Sequence, residues 1–357
     1  MTSAEYEIVP YGSEWDQQVA ELMVYLWGPD LEANLAYLRW KYEGNPYAEQ
    51  PLALVAVRQG RAVGFRGYTA VPFQIAGASE HLIVLCPGDT CVHPEHRMSG
   101  LSVRIGRAAM TAYADRYRLF MNWSCTKPSL PGYLKLGFLA LADKVYLTHA
   151  GPQGTLRYLL ASVRALPVAQ GRIRFGQTGE LLVSAAPRPA EMAALDRADE
   201  AALGTLVLRR DEAFLAWRFA NPLGKYIFYY LLRDETLLGY VAVGLSRNNR
   251  RGYLLDYAEA APGILEGIVR GILRMQHFDV LSVYPFCLSA AQRRALEKLG
   301  FGVVGLIPFL ERLQKGRLPL LLRPVKETFS DEDFFVQDID ARRIENWSLR
   351  PLGSDAE

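Results

Sequence analysis

Cysteine is scarce and unpatterned. Cys86, Cys91, Cys125 and Cys287 are the four in 357 residues, and their spacings fit neither a disulfide framework nor a metal-binding ladder. Three of them lie in or beside apolar, strand-like runs, which reads as buried, reduced thiols. An excess of charge of either sign is missing too. Forty basic and 38 acidic residues leave a net charge of +2, which gives no bulk attraction for nucleic acid or a membrane surface. Long apolar runs are absent. Leu318 to Leu322 is far too short to cross a bilayer, and Met1 to Pro10 shows no basic stretch followed by an apolar one, as a signal peptide would. These absences lead us to expect a cytoplasmic protein with no metal. What is present is ample core material: half of the residues are hydrophobic and 11% are aromatic. The length suggests two domains.

An internal repeat supports that division. Leu38-Arg39-Trp40-Lys41-Tyr42, with Asn45-Pro46, returns as Leu215-Ala216-Trp217-Arg218-Phe219, with Asn221-Pro222. A hairpin signal follows each copy: Leu52–Val57 with Ala62–Phe65, and Tyr226–Leu232 with Leu237–Val243. Lys135-Leu136-Gly137-Phe138 matches Lys298-Leu299-Gly300-Phe301. The unit is far larger than a solenoid repeat, so the reading is two copies of one α/β domain. Expected limits are 1–150, a connecting helical segment over 151–200 with helices at Leu156–Leu166 and Ala190–Leu203, a second domain over 201–330, and an acidic, partly packed tail over 331–357.

The segment Val92-His93-Pro94-Glu95-His96-Arg97-Met98-Ser99-Gly100-Leu101-Ser102 lies between a strand-like run, from Leu82, and a helix-like run, Val103–Tyr117. A strand, a basic glycine-containing turn and a helix make an anion cradle, because turn N–H groups and the helix N-terminus face the same point. Gly100 lets the backbone approach a phosphate closely. The spacing Val-x-Pro-x-x-Arg-x-x-Gly-x-Ser resembles the acyl-coenzyme A pyrophosphate loop of the GNAT superfamily of N-acetyltransferases. Downstream, Leu119–Trp123 reads as a strand, and Tyr133-Leu134-Lys135-Leu136-Gly137-Phe138 is similar to the signature that closes the same core. The resemblance covers Tyr37–Tyr146 well and Phe214–Val303 in outline.

It implies two tandem GNAT-like domains, each a mixed β-sheet flanked by helices, with acetyl-coenzyme A as co-substrate. Arg97 and the backbone N–H groups of Met98, Ser99, Gly100, Leu101 and Ser102 would hold the pyrophosphate. A backbone N–H near Cys91 or Val92 would polarise the thioester carbonyl, and Asn122 would bond the pantetheine amides. Tyr133 would protonate the leaving thiolate. Asp89 is the named base, with Glu80 and His81 as further candidates and a water relay as the route that needs none. Arg104 and Arg107 read first as solvated helix charges. In the second half, Asp256-Tyr257-Ala258-Glu259-Ala260-Ala261-Pro262-Gly263 lacks the Arg-x-x-Gly turn, and Leu296 replaces Tyr133, so that half is expected to be degenerate. The resulting expectation is a monomer with pseudo-dimeric halves that acylates a small-molecule amine, an amino sugar being one class. Competing readings are a non-catalytic coenzyme A-binding scaffold and a FemABX-like aminoacyl transferase. The intact loop and the weak charge disfavour the second of these.

Overall fold

The computed structural model describes residues 6–78, 81–151, 154, 156, 158, 165–175, 179–195, 204–303 and 318–353. The chain forms two compact units. The first comprises Met1–Lys144, Ala220–Leu223 and Leu318–Asn346; the second comprises Val145–Phe219, Gly224–Arg317 and Trp347–Glu357.

In the first unit, helices α1 (Asp16–Trp27) and α2 (Leu31–Leu38) follow strand β1 (Glu7–Pro10). The hairpin β2 (Ala53–Arg58) and β3 (Arg61–Ile75) comes next, then β4 (His81–Val92), α3 (Leu101–Tyr113), β5 (Leu119–Asn122), α4 (Leu130–Lys135) and β6 (Leu139–Asp143). β1 to β4 pair antiparallel in order, and β4 pairs parallel with β5. The expected hairpin continues well past Phe65, because Gly67 and Pro72, which read as breakers, both sit in register with β4. One face carries α3, whose Leu101, Ile105, Ala109, Met110 and Tyr113 are buried at helical spacing. Each large aliphatic among them contributes about 1.5–3 kcal/mol. A separate cluster holds Val19, Leu22 and Met23 of α1 with Leu38, Val55 and Phe65.

The strand beyond β5 comes from the far end of the sequence. Pro319–Pro324 lies between β5 and β6, antiparallel to both. The second unit shows the reciprocal arrangement. Its sheet runs Gly171–Phe175, Gly179–Ser184, Tyr226–Arg233, Thr236–Leu245, Arg251–Glu259, Val280–Val283, Leu147–His149, Gly302–Val303. Leu147–His149 therefore fills, in the second sheet, the place that Pro319–Pro324 fills in the first. Domain limits at 150 and 201–330 cut across both units for this reason. The expected tail is likewise divided: Phe334 and Val336 are buried in the first unit and Trp347 in the second. Most of the expected Leu156–Leu166 helix, and the part of Ala190–Leu203 after residue 195, lie outside the described residues. Among these, no helix is long and apolar enough to cross a membrane.

Candidate active site

β4 is the element that shapes the first unit's site. Its parallel pairing with β5 consists of Val84↔Leu119 and Leu85↔Phe120 and goes no further, while β5 continues to pair on its other side through Asn122. Opposite β3, Gly88 faces Gly67 and Cys91 faces Phe65. Asp89 and Thr90 thus stand against the single residue Arg66, which is a β-bulge. Asp89 has φ +48°, a left-handed conformation uncommon outside glycine, asparagine and aspartate. The bulge re-aims the end of β4 as it runs on toward α3.

At least three donors among the described residues converge on the Asp89 carboxylate. Tyr42 donates its hydroxyl at 2.6 Å, Trp27 its indole N–H at 3.3 Å, and the Lys41 ammonium forms a short ion pair. Lys41 is 1% exposed. Its ammonium also donates to the Tyr37 hydroxyl and lies over the Tyr37 and Tyr42 rings, 5.3 and 5.6 Å from their centroids. A π-turn over Arg39–Glu43, closed by Gly44 N–H to the Arg39 carbonyl at 2.8 Å, carries Lys41 and Tyr42 inward together. Gly67 makes room for the arrangement, since a Cβ there would overlap the Tyr42 hydroxyl and ring. A buried lysine with a carboxylate partner inside an aromatic wall is therefore built into the site. The sequence alone places Asp89 there and gives the Trp40-Lys41-Tyr42 segment, which has a counterpart in the second half, a structural role first.

Tyr133 is buried on α4, edge-on to Phe138 at 5.0 Å. The Arg66 guanidinium stacks on its ring, 4.6 Å from the centroid, and donates to the Ser102 carbonyl at 3.1 Å. Burial disfavours charge on Arg66, but the Tyr133 and Tyr68 oxygens outweigh it and the guanidinium is held charged. Gly106 leaves space for it: a Cβ there would come within 2.7 Å of its terminal nitrogen. Arg66 has no counterpart in the sequence-level site, because a lone arginine in an apolar strand carries no motif.

The cradle itself has left-handed backbone at Met98 (φ +62°) and at Gly100 (φ +74°), which caps α3. The first N–H groups of such a helix have no intrahelical acceptor. The Arg97 guanidinium is exposed and folds back to the Val92 carbonyl at 3.1 Å, and the Ser99 hydroxyl bonds the His96 carbonyl at 2.6 Å. Arg104 turns to the Tyr6 carbonyl and ring. Asn122 is buried, and its side-chain oxygen accepts from Ser124 N–H at 2.8 Å. The Cys91 thiol is pushed up to about 11, chiefly by burial. His81 begins β4, eight residues from Asp89, about 26 Å along an extended strand, and is not brought to this point. Glu80 lies outside the described residues.

No protein-family model matches the chain, and no curated protein matches its sequence. Solved structures do match. A GCN5-related N-acetyltransferase from Anabaena variabilis superposes with TM-score 0.56 at 12% identity, over 90% of this chain and 73% of that one. A GCN5-related N-acetyltransferase from Kribbella flavida gives 0.56 at 13%, over 90% and 71%. A tandem GNAT protein from the clavulanic acid biosynthesis pathway gives 0.52 at 15%, over 92% of this chain and all of that one. The chain has the tandem GNAT fold.

The two GNAT units differ at the cradle. In the second, Gly263 (φ +92°) caps helix Ile264–Met275 as Gly100 caps α3. There, the Glu259 carboxylate accepts the Leu265 N–H at 2.9 Å and the Gln292 amide at 2.7 Å. The chain's own anion occupies that helix N-terminus. Beyond Leu254↔Val283, where parallel pairing ends, Asp256 is fully buried and accepts from Arg210 at 3.0 Å, Arg350 at 2.9 Å and Tyr240 at 2.5 Å. Burial, reinforced by Asp256, holds Tyr240 well above the usual phenol range.

Proposed function

We propose that the first unit is an acyl-coenzyme A-dependent N-acyltransferase that uses acetyl-coenzyme A and acts on the amine of a small molecule in a ternary complex. One observation carries this reading. β4 bulges at Asp89, parts from β5 beyond Leu85 and runs on into the glycine-capped N-terminus of α3. The residues suit the donor: a strand that has left the β5 ladder offers amide partners to a pantetheine arm, and the 98–102 backbone offers N–H groups to a pyrophosphate. The fold neighbours named N-acetyltransferases agree with it.

When bound, acyl-coenzyme A supplies an activated thioester. The chain's part is to position and to move protons. A β4 backbone N–H near Cys91 or Val92 polarises the carbonyl. Tyr133, with Arg66 on its ring, donates the proton that the leaving sulfur needs. Asp89 already accepts from three donors, so taking an amine proton requires displacing one of them. A water relay, with Asp89 and Lys41 fixing the acceptor wall, fits that geometry better. The same crowding favours the second reading, a coenzyme A-binding unit without turnover. The setting we propose is cytoplasmic, with small amines such as amino sugars as the first acceptors to screen.

Calorimetric titration with acetyl-coenzyme A, beside a Gly100→Glu control, tests the donor site. One saturable site lost in the control is expected, and no binding, or two sites, would overturn the assignment. Thiol release with an amine panel then separates a transferase from a silent binder.

A further inference from the structure

The turn before the cradle carries a feature that the acyltransferase reading does not use. Among the described residues, His93, Glu95 and His96 are the only three metal-ligating side chains whose ligand atoms, one from each, all lie within 4.8 Å of one another. A 3₁₀ turn over Pro94–His96 explains why. His96 N–H donates to the His93 carbonyl at 2.9 Å, and side chains at i and i+3 of such a turn eclipse. The two imidazoles accordingly sit 5.8 Å apart, centroid to centroid.

Each imidazole is also held by a tyrosine from another element. Tyr6 bonds Nδ1 of His96 at 3.1 Å, and its ring packs edge-on at 5.7 Å. Tyr25 bonds Nε2 of His93 at 3.4 Å, with its ring edge-on at 5.4 Å. The remaining nitrogen of His93, Nδ1, is shielded from solvent and has no partner among the described residues. One ring nitrogen fixed by a hydrogen bond, with the other left as a lone-pair donor, is how histidine ligands are oriented for a metal.

We propose that His93 Nδ1, Glu95 and His96 Nε2 bind a borderline divalent cation of the zinc type. Two imidazoles and a carboxylate are a known zinc donor set, with the fourth position open to water. Ligand atoms about 3.3 Å apart follow from tetrahedral geometry at Zn–N near 2.0–2.1 Å, so side chains whose ligand atoms lie within 4.8 Å of one another need to close by up to about 1.5 Å to hold the cation. The cation ties both ends of the turn directly before Arg97 and the left-handed Met98, and so sets the entry to the loop. None of this rests on the acyltransferase assignment.

The test is calorimetric titration of the tag-free full chain with zinc chloride in a non-chelating buffer, with the cobalt(II) visible spectrum as a second readout. One equivalent should bind. His96→Ala should weaken binding at least about 100-fold, and Tyr6→Phe about tenfold, the usual range for a hydrogen-bonded partner of a ligand. His149→Ala should leave binding unchanged. Glu95 is exposed, so Glu95→Gln preserves the fold, and because it removes a proposed ligand it should weaken binding more than Tyr6→Phe does. The cobalt form should show ligand-field bands without a thiolate charge-transfer band. Absence of binding, retention of one equivalent in the His93→Ala/His96→Ala double variant, or a thiolate band would each overturn the proposal.

Discussion

Gly67→Ala tests whether the Asp89 assembly is built by space rather than by backbone conformation. Gly67 is not in the left-handed region, so alanine fits its backbone. Its Cβ, however, would come closer than 3.0 Å to three atoms of Tyr42, the hydroxyl included. Tyr42 is 2% exposed and edge-packed on Phe65 and Tyr11, so it has nowhere free to turn. Overpacking of this kind costs about 1–3 kcal/mol, and losing the hydrogen bond to a charged Asp89 adds about 1.5–3 kcal/mol. A total of about 2.5–6 kcal/mol lowers the melting temperature by roughly 5–24 °C for a unit of this size. The assay is a double-mutant cycle by thermal and urea unfolding. In a Tyr42→Leu background the ring is gone, and Gly67→Ala should then cost under about 0.5 kcal/mol. Equal costs in the two backgrounds, or a cost below about 0.5 kcal/mol in the parent, would refute the steric argument.

Three further outcomes follow. Tyr133→Phe should lower turnover about 100-fold, the lower end for general acid catalysis, while calorimetric affinity for acetyl-coenzyme A stays within about twofold; unchanged turnover means that another group protonates the thiolate. His277 is buried, bonds the Tyr229 hydroxyl at 2.8 Å, and is held below the ordinary histidine value by burial. A base with a depressed folded value contributes stability that is fully present above about pH 6.5 and is lost as the pH falls through that lower value; urea titrations from pH 7.5 to 5 should show the loss, and His277→Gln should flatten it. Cys91, with its thiol at about 11, is only about one part in a thousand thiolate at pH 8, so native protein should resist iodoacetamide at this position by mass spectrometry, and labelling there in minutes would contradict its burial.

The turns and helix ends around the candidate site were legible in the sequence, because they are local. Gly100 before an amphipathic run and Pro94 after a strand are short-range signals, and the structure places them at the cap of α3 and at the preceding turn. The Tyr-x-Lys-Leu-Gly-Phe segment likewise falls on α4 and its Gly137 turn. What was not legible depends on distant pairing. Lys41 reaches Asp89 across 48 positions, and Arg66 reaches Ser102 across 36; neither side chain announces its partner. The strand exchange is hidden for a different reason. Only Lys144, Val145 and Tyr146 separate β6 from Leu147–His149, and a link of that length would serve a hairpin equally well. Only the completed sheets show that the chain passes on instead of turning back.

One difference between the two halves at the cradle is the source of a negative charge. A helix N-terminus capped by left-handed glycine presents unpaired N–H groups and the positive end of a dipole, and an anion there contributes about 0.3–1 kcal/mol at a surface and up to about 2 when partly buried. In the second unit Glu259 supplies that anion from within the chain and is itself fixed by Gln292. In the first unit the residues at the cap are Ser99 and Gly100, and the Ser99 hydroxyl is turned to the His96 carbonyl. On the proposed function, the anion at α3 comes from the ligand. Glu259→Gln should lower the stability of the second unit by about 0.5–1 kcal/mol without creating a second acetyl-coenzyme A site, because Asp256 and Arg350 still fill the place where its strands part. A second binding event in calorimetry of that variant would show that Glu259 alone had closed the site, and that the buried Asp256 network is not the barrier it is taken to be.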